Sequence, residues 1–207
     1  MTRGCDYEGD PAGARVLVTG FEPFPVDCPH DNVSAVAVGA LDPRALRGAR
    51  VMRRVLPVEY DRAAAEIAEL IARGRPEIVI AFGQGGEDLK LEELAHNLHD
   101  GALPDNRGVL RAAAVIDPSA PATREARLPL DAIAAALEAL GEAPRRSRDA
   151  GRYICNDVMF ACLGTAVPQA GFIHLPRTTA FDDAVRARFG RIVLAAVQAT
   201  ADHAAAP

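Results

Sequence analysis

The hydrophobic pattern alternates short apolar runs with stretches of helical spacing. Residues 15–20 (Arg-Val-Leu-Val-Thr-Gly), 51–58 and 77–83 read as buried strands, and the third is apolar on both faces as parallel strands are. Asn32-Val-Ser34 is set to cap a helix running to about Gly39 or Leu41. Asp61 is placed to cap an amphipathic helix that Gly74 closes, with Ala64, Ile67, Leu70 and Ile71 on one face. Leu130, Ile133, Ala134, Leu137 and Leu140 space out another helix. The last runs over about 182–200, with Val185, Phe189, Ile192, Val193 and Ala196 inward. Residues 109–116 are expected as a strand and 117–127 as a Pro/Ala-rich loop, while 87–108 mixes both periods and is left open. Residues 1–13 carry no periodicity and read as a flexible tail before a single domain over 14–207. Strands alternating with helices imply an α/β fold, a single-domain α/β/α sandwich with a mainly parallel twisted sheet.

Chemistry concentrates near the end. Tyr153 and Ile154 read as a strand end leading into Cys155. A helix then follows, with Val158, Met159 and Cys162 on one face, Asn156 or Asp157 as cap and Gly164 as stop. A cysteine at the mouth of a helix sits where free backbone N–H groups and the helix dipole favour a thiolate and an oxyanion. The next apolar run, 171–176, carries His174, so Cys155 and His174 form a candidate nucleophile–base pair. The other reading is a small buried thiol, as Cys162 is; the local sequence leaves both open. Phe21 and Phe24 follow the first strand and Gln84 the third, at the edge where open α/β sheets bind ligands. Gly83-Gln-Gly-Gly86 lacks dinucleotide spacing. Glu92 and His96 are four apart without a His-Glu-x-x-His pattern, and read as a solvated face rather than a metal site.

Composition narrows the classes. The 207 residues suffice for a core without disulfides, and a net charge of −5 argues against nucleic acid as the main partner. Arg145, Arg146 and Arg148 fall in a Pro-containing stretch read as a solvated connection. Four cysteines (Cys5, Cys28, Cys155, Cys162) without metal-type pairing, and no apolar leader, point to a reducing cytoplasmic setting. No apolar run is long enough to span a membrane.

Six motifs in order then resemble one family. Val-Thr-Gly-Phe-Glu-Pro-Phe24, Asn32-Val-Ser34, Gly83-Gln-Gly-Gly86, the 95–108 stretch with its Pro-Asp-Asn-x-Gly turn, Ala150-Gly-x-x-Ile-Cys-Asn156 and Gly171-Phe-Ile-His-Leu-Pro176 resemble the pyroglutamyl peptidase I family, over residues 14 to about 200. The resemblance implies a cysteine peptidase that removes N-terminal pyroglutamate from small peptides, with no cofactor or metal. It implies Cys155 as nucleophile, His174 as base and later acid, and Glu92 as the group orienting His174. Phe21 and Phe24 would sandwich the lactam, Asn32 and Gln84 supply or support its polar contacts, and Tyr153 and Ile154 complete an apolar wall. It also implies a homo-oligomer, dimer or tetramer. Two family arginines are absent, one in the Glu87/Asp88 region and one at Ala102, and the loop before Glu92 is about two residues short. The shortening leaves Glu92 and Glu93 as rivals, of which strand geometry allows one. The missing arginines carry a second reading, a divergent member that binds or hydrolyses another small lactam or amide.

Overall fold

The computed structural model describes residues 6–25, 31–100 and 103–206. Its elements are β1 (Glu8–Gly9), β2 (Ala14–Phe21), α1 (Val33–Gly39), β3 (Ala49–Leu56), α2 (Arg62–Gly74), β4 (Ile78–Gln84), β5 (Lys90–Glu92), β6 (Leu94–His96), β7 (Thr123–Glu125), α3 (Leu130–Glu138), β8 (Arg145–Ser147), α4 (Ile154–Leu163), β9 (Gln169–Leu175) and α5 (Asp183–Ala204). A seven-stranded sheet has the order β1-β3-β2-β4-β9-β5-β8, and β6 pairs with β7 separately. The central strands β3, β2, β4 and β9 are mutually parallel, β1 is antiparallel to β3, and β5 runs antiparallel to β9.

The apolar runs explain the layers. Alternate residues of β2 go to opposite faces: Val16 and Val18 pack with α1, α3 and α5, while Leu17 packs with α2 and α4. Both faces of β4 are fully covered, so Ile78, Val79, Ile80, Ala81 and Phe82 are all buried. The expected α/β/α sandwich with a mainly parallel sheet is therefore the observed fold. Parallel strands place β2, β4 and β9 with their C-terminal ends together. This brings Phe21, Gln84 and His174 to one edge.

Several elements differ from expectation. Residues 109–116 are not a strand; they make only isolated bridges, Leu110 with Pro104 and Ala114 with His99. Arg145–Ser147 is not a solvated loop but β8, paired in parallel with β5. The polar sequence hid it because an edge strand exposes its side chains. Within the expected Pro/Ala-rich loop, Thr123–Glu125 forms β7. In the stretch read as a tail, Glu8–Gly9 pairs with β3 and the Tyr7 hydroxyl donates to the Gly74 carbonyl. Asp61 is the N-cap residue of α2 as expected, but with φ at +60° its side chain makes no cap hydrogen bond, and its carboxylate instead pairs with Arg111. Ala63, rather than Ala64, is the buried residue of that turn. Residues 90–96, left open, form β5 and β6.

Candidate active site

α4 positions the thiol. Ile154 is its first residue, not the end of a strand, and Tyr153 rather than Asn156 or Asp157 is the N-cap. Cys155 thus lies in the first turn, where the backbone N–H groups of Ile154, Cys155 and Asn156 have no helical acceptor. Gly164 ends the helix as expected, and Cys162 is fully buried on its apolar face. Asn156 has a role that the sequence does not reveal. Its Oδ1 accepts from the His96 N–H at 2.7 Å and its Nδ2 donates to the His96 carbonyl at 2.7 Å, tying the Cys155 turn to β6.

His174 lies one residue before the end of β9. In the β5–β9 register His174 faces Lys90 and Phe172 faces Glu92, so Glu92 is the diagonal neighbour of His174 on the same face. The Glu92 Oε1 sits 2.8 Å from His174 Nδ1 and Glu92 is fully buried. A carboxylate at Nδ1 fixes the proton there and turns Nε2 outward. The Cys155 thiol lies close enough to the same imidazole to favour its charged form. Burial works against the charged ring, yet the hydrogen bonds and charges of Cys155 and Glu92 outweigh it and raise the His174 pKa to about 9. Glu93, on the opposite face, pairs with Arg146 and Arg148. Geometry therefore chooses Glu92 over Glu93 as the partner of His174. A second selection acts on backbone: a Cβ at Gly83 would lie 2.7 Å from Phe172 and 3.0 Å from the Cys155 sulfur, so only glycine leaves the thiol its place.

The thiol opens into a cavity of about 440 Å³. Phe21, Phe24, Asn32, Gln84, Tyr153, Ile154 and Cys155 all line it. Phe24 and Tyr153 meet at 5.3 Å between ring centres, and Tyr60 braces Tyr153 from behind at 5.4 Å. Asn32 is a support more than a contact: its Oδ1 takes the Ser34 N–H and hydroxyl, and its Nδ2 donates to the Glu22 carbonyl. The Ser34 oxygen in turn accepts from the Phe21 N–H at 2.9 Å, which holds that ring. Gln84 Oε1 accepts from the Val33 N–H at 3.3 Å, and its amide NH₂ has no partner among the described residues. A free amide donor over apolar rings suits the carbonyl of a small neutral ring.

The cavity also includes residues that the sequence did not single out: Val58, Leu103, Asp31, Arg177, Thr178 and Thr179. Leu103 is held by the Asp105 turn, in which the carboxylate takes the N–H groups of Tyr60, Arg107 and Val109. The Tyr60 and Tyr153 hydroxyls donate to the Leu103 and Pro104 carbonyls. The Pro-Asp-Asn-x-Gly motif was visible in the sequence; that it holds a cavity wall, Leu103, was not. Of the two positions where family arginines are absent, Ala102 lies outside the described residues, whereas Asp88 pairs with Arg145 on β8.

Behind the helix, Asp157 and His99 are both buried, with Oδ1 and Nδ1 3.0 Å apart but misaligned for a hydrogen bond. Burial outweighs the pull of Arg111 and raises the Asp157 carboxyl from 3.8 to about 7. Burial, then Arg111, lowers the His99 pKa. Because the folded state holds the Asp157 proton more tightly than the unfolded chain, stability falls as pH rises from about 4 to 7, and the penalty is complete above 7. Asp157→Asn is expected to raise the melting temperature by roughly 2–6 °C at pH 8 and to change it little at pH 4, as thermal melts at the two pH values would show.

Comparison with known proteins places this geometry. The family model for pyroglutamyl peptidase matches residues 14–198. The pyrrolidone-carboxylate peptidase of Chromobacterium violaceum is 40% identical over 163 residues, covering 78% of this chain and 77% of that protein. That of Thermococcus kodakarensis is 37% identical over 169 residues, covering 78% and 81%. Among solved structures, the pyrrolidone carboxyl peptidase of Thermococcus litoralis superposes with a TM-score of 0.82 at 31% identity, covering 92% of this chain and 94% of that one. Pyroglutamyl peptidase I of Bacillus amyloliquefaciens gives 0.82 at 26% identity, covering 92% and 98%. In sequence and in fold, the chain belongs to the pyroglutamyl peptidase family.

Proposed function

We propose that this chain removes N-terminal pyroglutamate from peptides as a cysteine exopeptidase, with Cys155 as nucleophile, His174 as base and acid, and Glu92 as the residue orienting His174. The observation that carries this reading is the buried Glu92–His174 pair beside the partly exposed Cys155 thiol, which opens into a cavity of ring-sized apolar walls. The lactam ring enters between Phe21, Phe24 and Tyr153, with Ile154 beneath it and the Gln84 amide donating to its carbonyl. The thiolate attacks the pyroglutamyl acyl carbon, and the carbonyl π electrons move onto oxygen beside the first-turn N–H groups of α4. His174 then gives its proton to the departing amine as the C–N bond breaks, leaving a thioester. Water, deprotonated by the same imidazole, attacks the thioester; pyroglutamate leaves and the thiol is restored.

The alternative of a divergent lactam-binding member is not favoured, because the curated relatives across this length are named as peptidases. The reaction's place is proposed to be the cytoplasm, on the strength of the free thiols of Cys155 and Cys162. A homo-oligomer, dimer or tetramer, is proposed on the family resemblance alone.

Hydrolysis of a chromogenic pyroglutamyl amide tests the activity. Because His174 must be protonated to release the amine, kcat/KM is expected to fall as pH rises through about 9. Phe24→Ala removes one wall of the ring site and is expected to raise KM about tenfold while leaving kcat within a few-fold. Unchanged KM would mean that the ring binds elsewhere.

A further inference from the structure

Among the described residues lining the cavity, two carry charge, Asp31 and Arg177. Asp31 is committed, its carboxylate 3.5 Å from the Arg186 guanidinium on α5. Arg177 is not: it is exposed, and its guanidinium has no partner among the described residues. Its backbone is nevertheless anchored, since its N–H donates to the Gly86 carbonyl at 2.7 Å. The two acidic residues that follow Gly86 are Glu87, which does not line the cavity, and Asp88, which pairs with Arg145. Among the described residues, the free charge at the mouth is therefore positive.

Direction decides what that charge meets. The pyroglutamyl ring occupies the apolar side formed by Phe21, Phe24 and Tyr153. The amine must leave past His174, which protonates it. Arg177 follows His174 by three residues, a span of at most about 10 Å of extended chain, and its own side chain reaches several ångströms further. We infer that Arg177 is a specificity residue of the leaving-group side and favours peptides that carry a carboxylate on the residue directly after pyroglutamate. This rests on the peptidase reading above. The carboxylate has two sources, an acidic side chain or the free α-carboxylate of a pyroglutamyl dipeptide. An exposed pair of this kind gives a modest preference, about two- to five-fold, that salt weakens.

The test measures kcat/KM for the amides of pyroglutamyl-Glu, pyroglutamyl-Gln and pyroglutamyl-Lys, and for pyroglutamyl-Ala as amide and as free acid. Wild type, Arg177→Gln and Arg177→Glu are compared by their substrate ratios, which any general loss of activity leaves untouched. The expected wild-type order is Glu above Gln above Lys, flattened in Arg177→Gln and inverted in Arg177→Glu. A gain confined to the free acid of pyroglutamyl-Ala would assign the charge to the α-carboxylate instead of the side chain. Ratios near one throughout, or a wild-type preference that survives Arg177→Gln, would overturn the inference while Cys155-dependent cleavage of pyroglutamyl-Gln-amide keeps the peptidase reading intact. If pyroglutamyl-Gln-amide itself is not cleaved, the peptidase reading fails and this inference falls with it.

Discussion

Cys155→Ala is expected to abolish hydrolysis of a pyroglutamyl amide, lowering kcat by about four orders of magnitude or more, with the fold unchanged. The size follows from what is lost. Without the sulfur there is no acyl-enzyme, so a positioned water would have to attack an amide directly, helped only by the first-turn N–H groups and ring binding. The fold should tolerate the change because the Cys155 side chain is only half-buried and its neighbours on α4, Val158, Met159 and Cys162, carry the packing. Circular dichroism and thermal melting check the fold beside the kinetics. Residual activity within tenfold of wild type would remove Cys155 from the mechanism.

Glu92→Gln has the second-largest expected effect, a loss of about two to four orders of magnitude in kcat/KM. The amide oxygen of glutamine can still accept from His174 Nδ1, so shape is nearly preserved while the charge is gone. Glu92 contributes to raising the His174 pKa through both its hydrogen bond and its charge. In the variant the imidazolium is less favoured, and the basic limb of the pH profile should move from about 9 toward lower pH. A purely structural role would lower activity without moving that limb, so the profile separates the two. Glu93→Gln, on the opposite face among Arg146 and Arg148, is expected to leave both rate and profile close to wild type.

These two residues also mark what the sequence made legible. Cys155 and His174 could be found because each sits in an apolar run where a polar or reactive side chain stands out, and the runs themselves announce a strand and a helix. Glu92 could be named only through family resemblance, with Glu93 as its rival. The choice depends on the antiparallel register of β5 against β9, set by a pairing between segments some eighty residues apart. The same kind of non-local fact hid β8: Arg145–Ser147 has no strand pattern of its own and becomes one because β5 offers it an edge. Asn156 was legible as a helix cap and proved to be a bridge to β6, since its amide finds a backbone that is distant in sequence. Asp61 holds the N-cap position it was read for, but its side chain turns elsewhere for a related reason. Capping residues are promiscuous acceptors, and Arg111 offers the carboxylate a charge-assisted bond that helix N–H groups do not match. Core strands and amphipathic helices are local in origin and were read from spacing; the cavity walls at Leu103, Val58 and Arg177 come from loops whose paths are fixed by hydrogen bonds to segments distant in sequence.

The most direct test of the central claim is covalent. A pyroglutamyl chloromethyl ketone carries the ring into the cavity and alkylates whichever nucleophile lies beside the acyl carbon. Intact mass and peptide mapping are expected to find one label per chain, on Cys155, with activity lost in step and both slowed by an excess of free pyroglutamyl amide. Label on Cys162, Cys5 or Cys28, or full inactivation with Cys155 unmodified, would contradict the account.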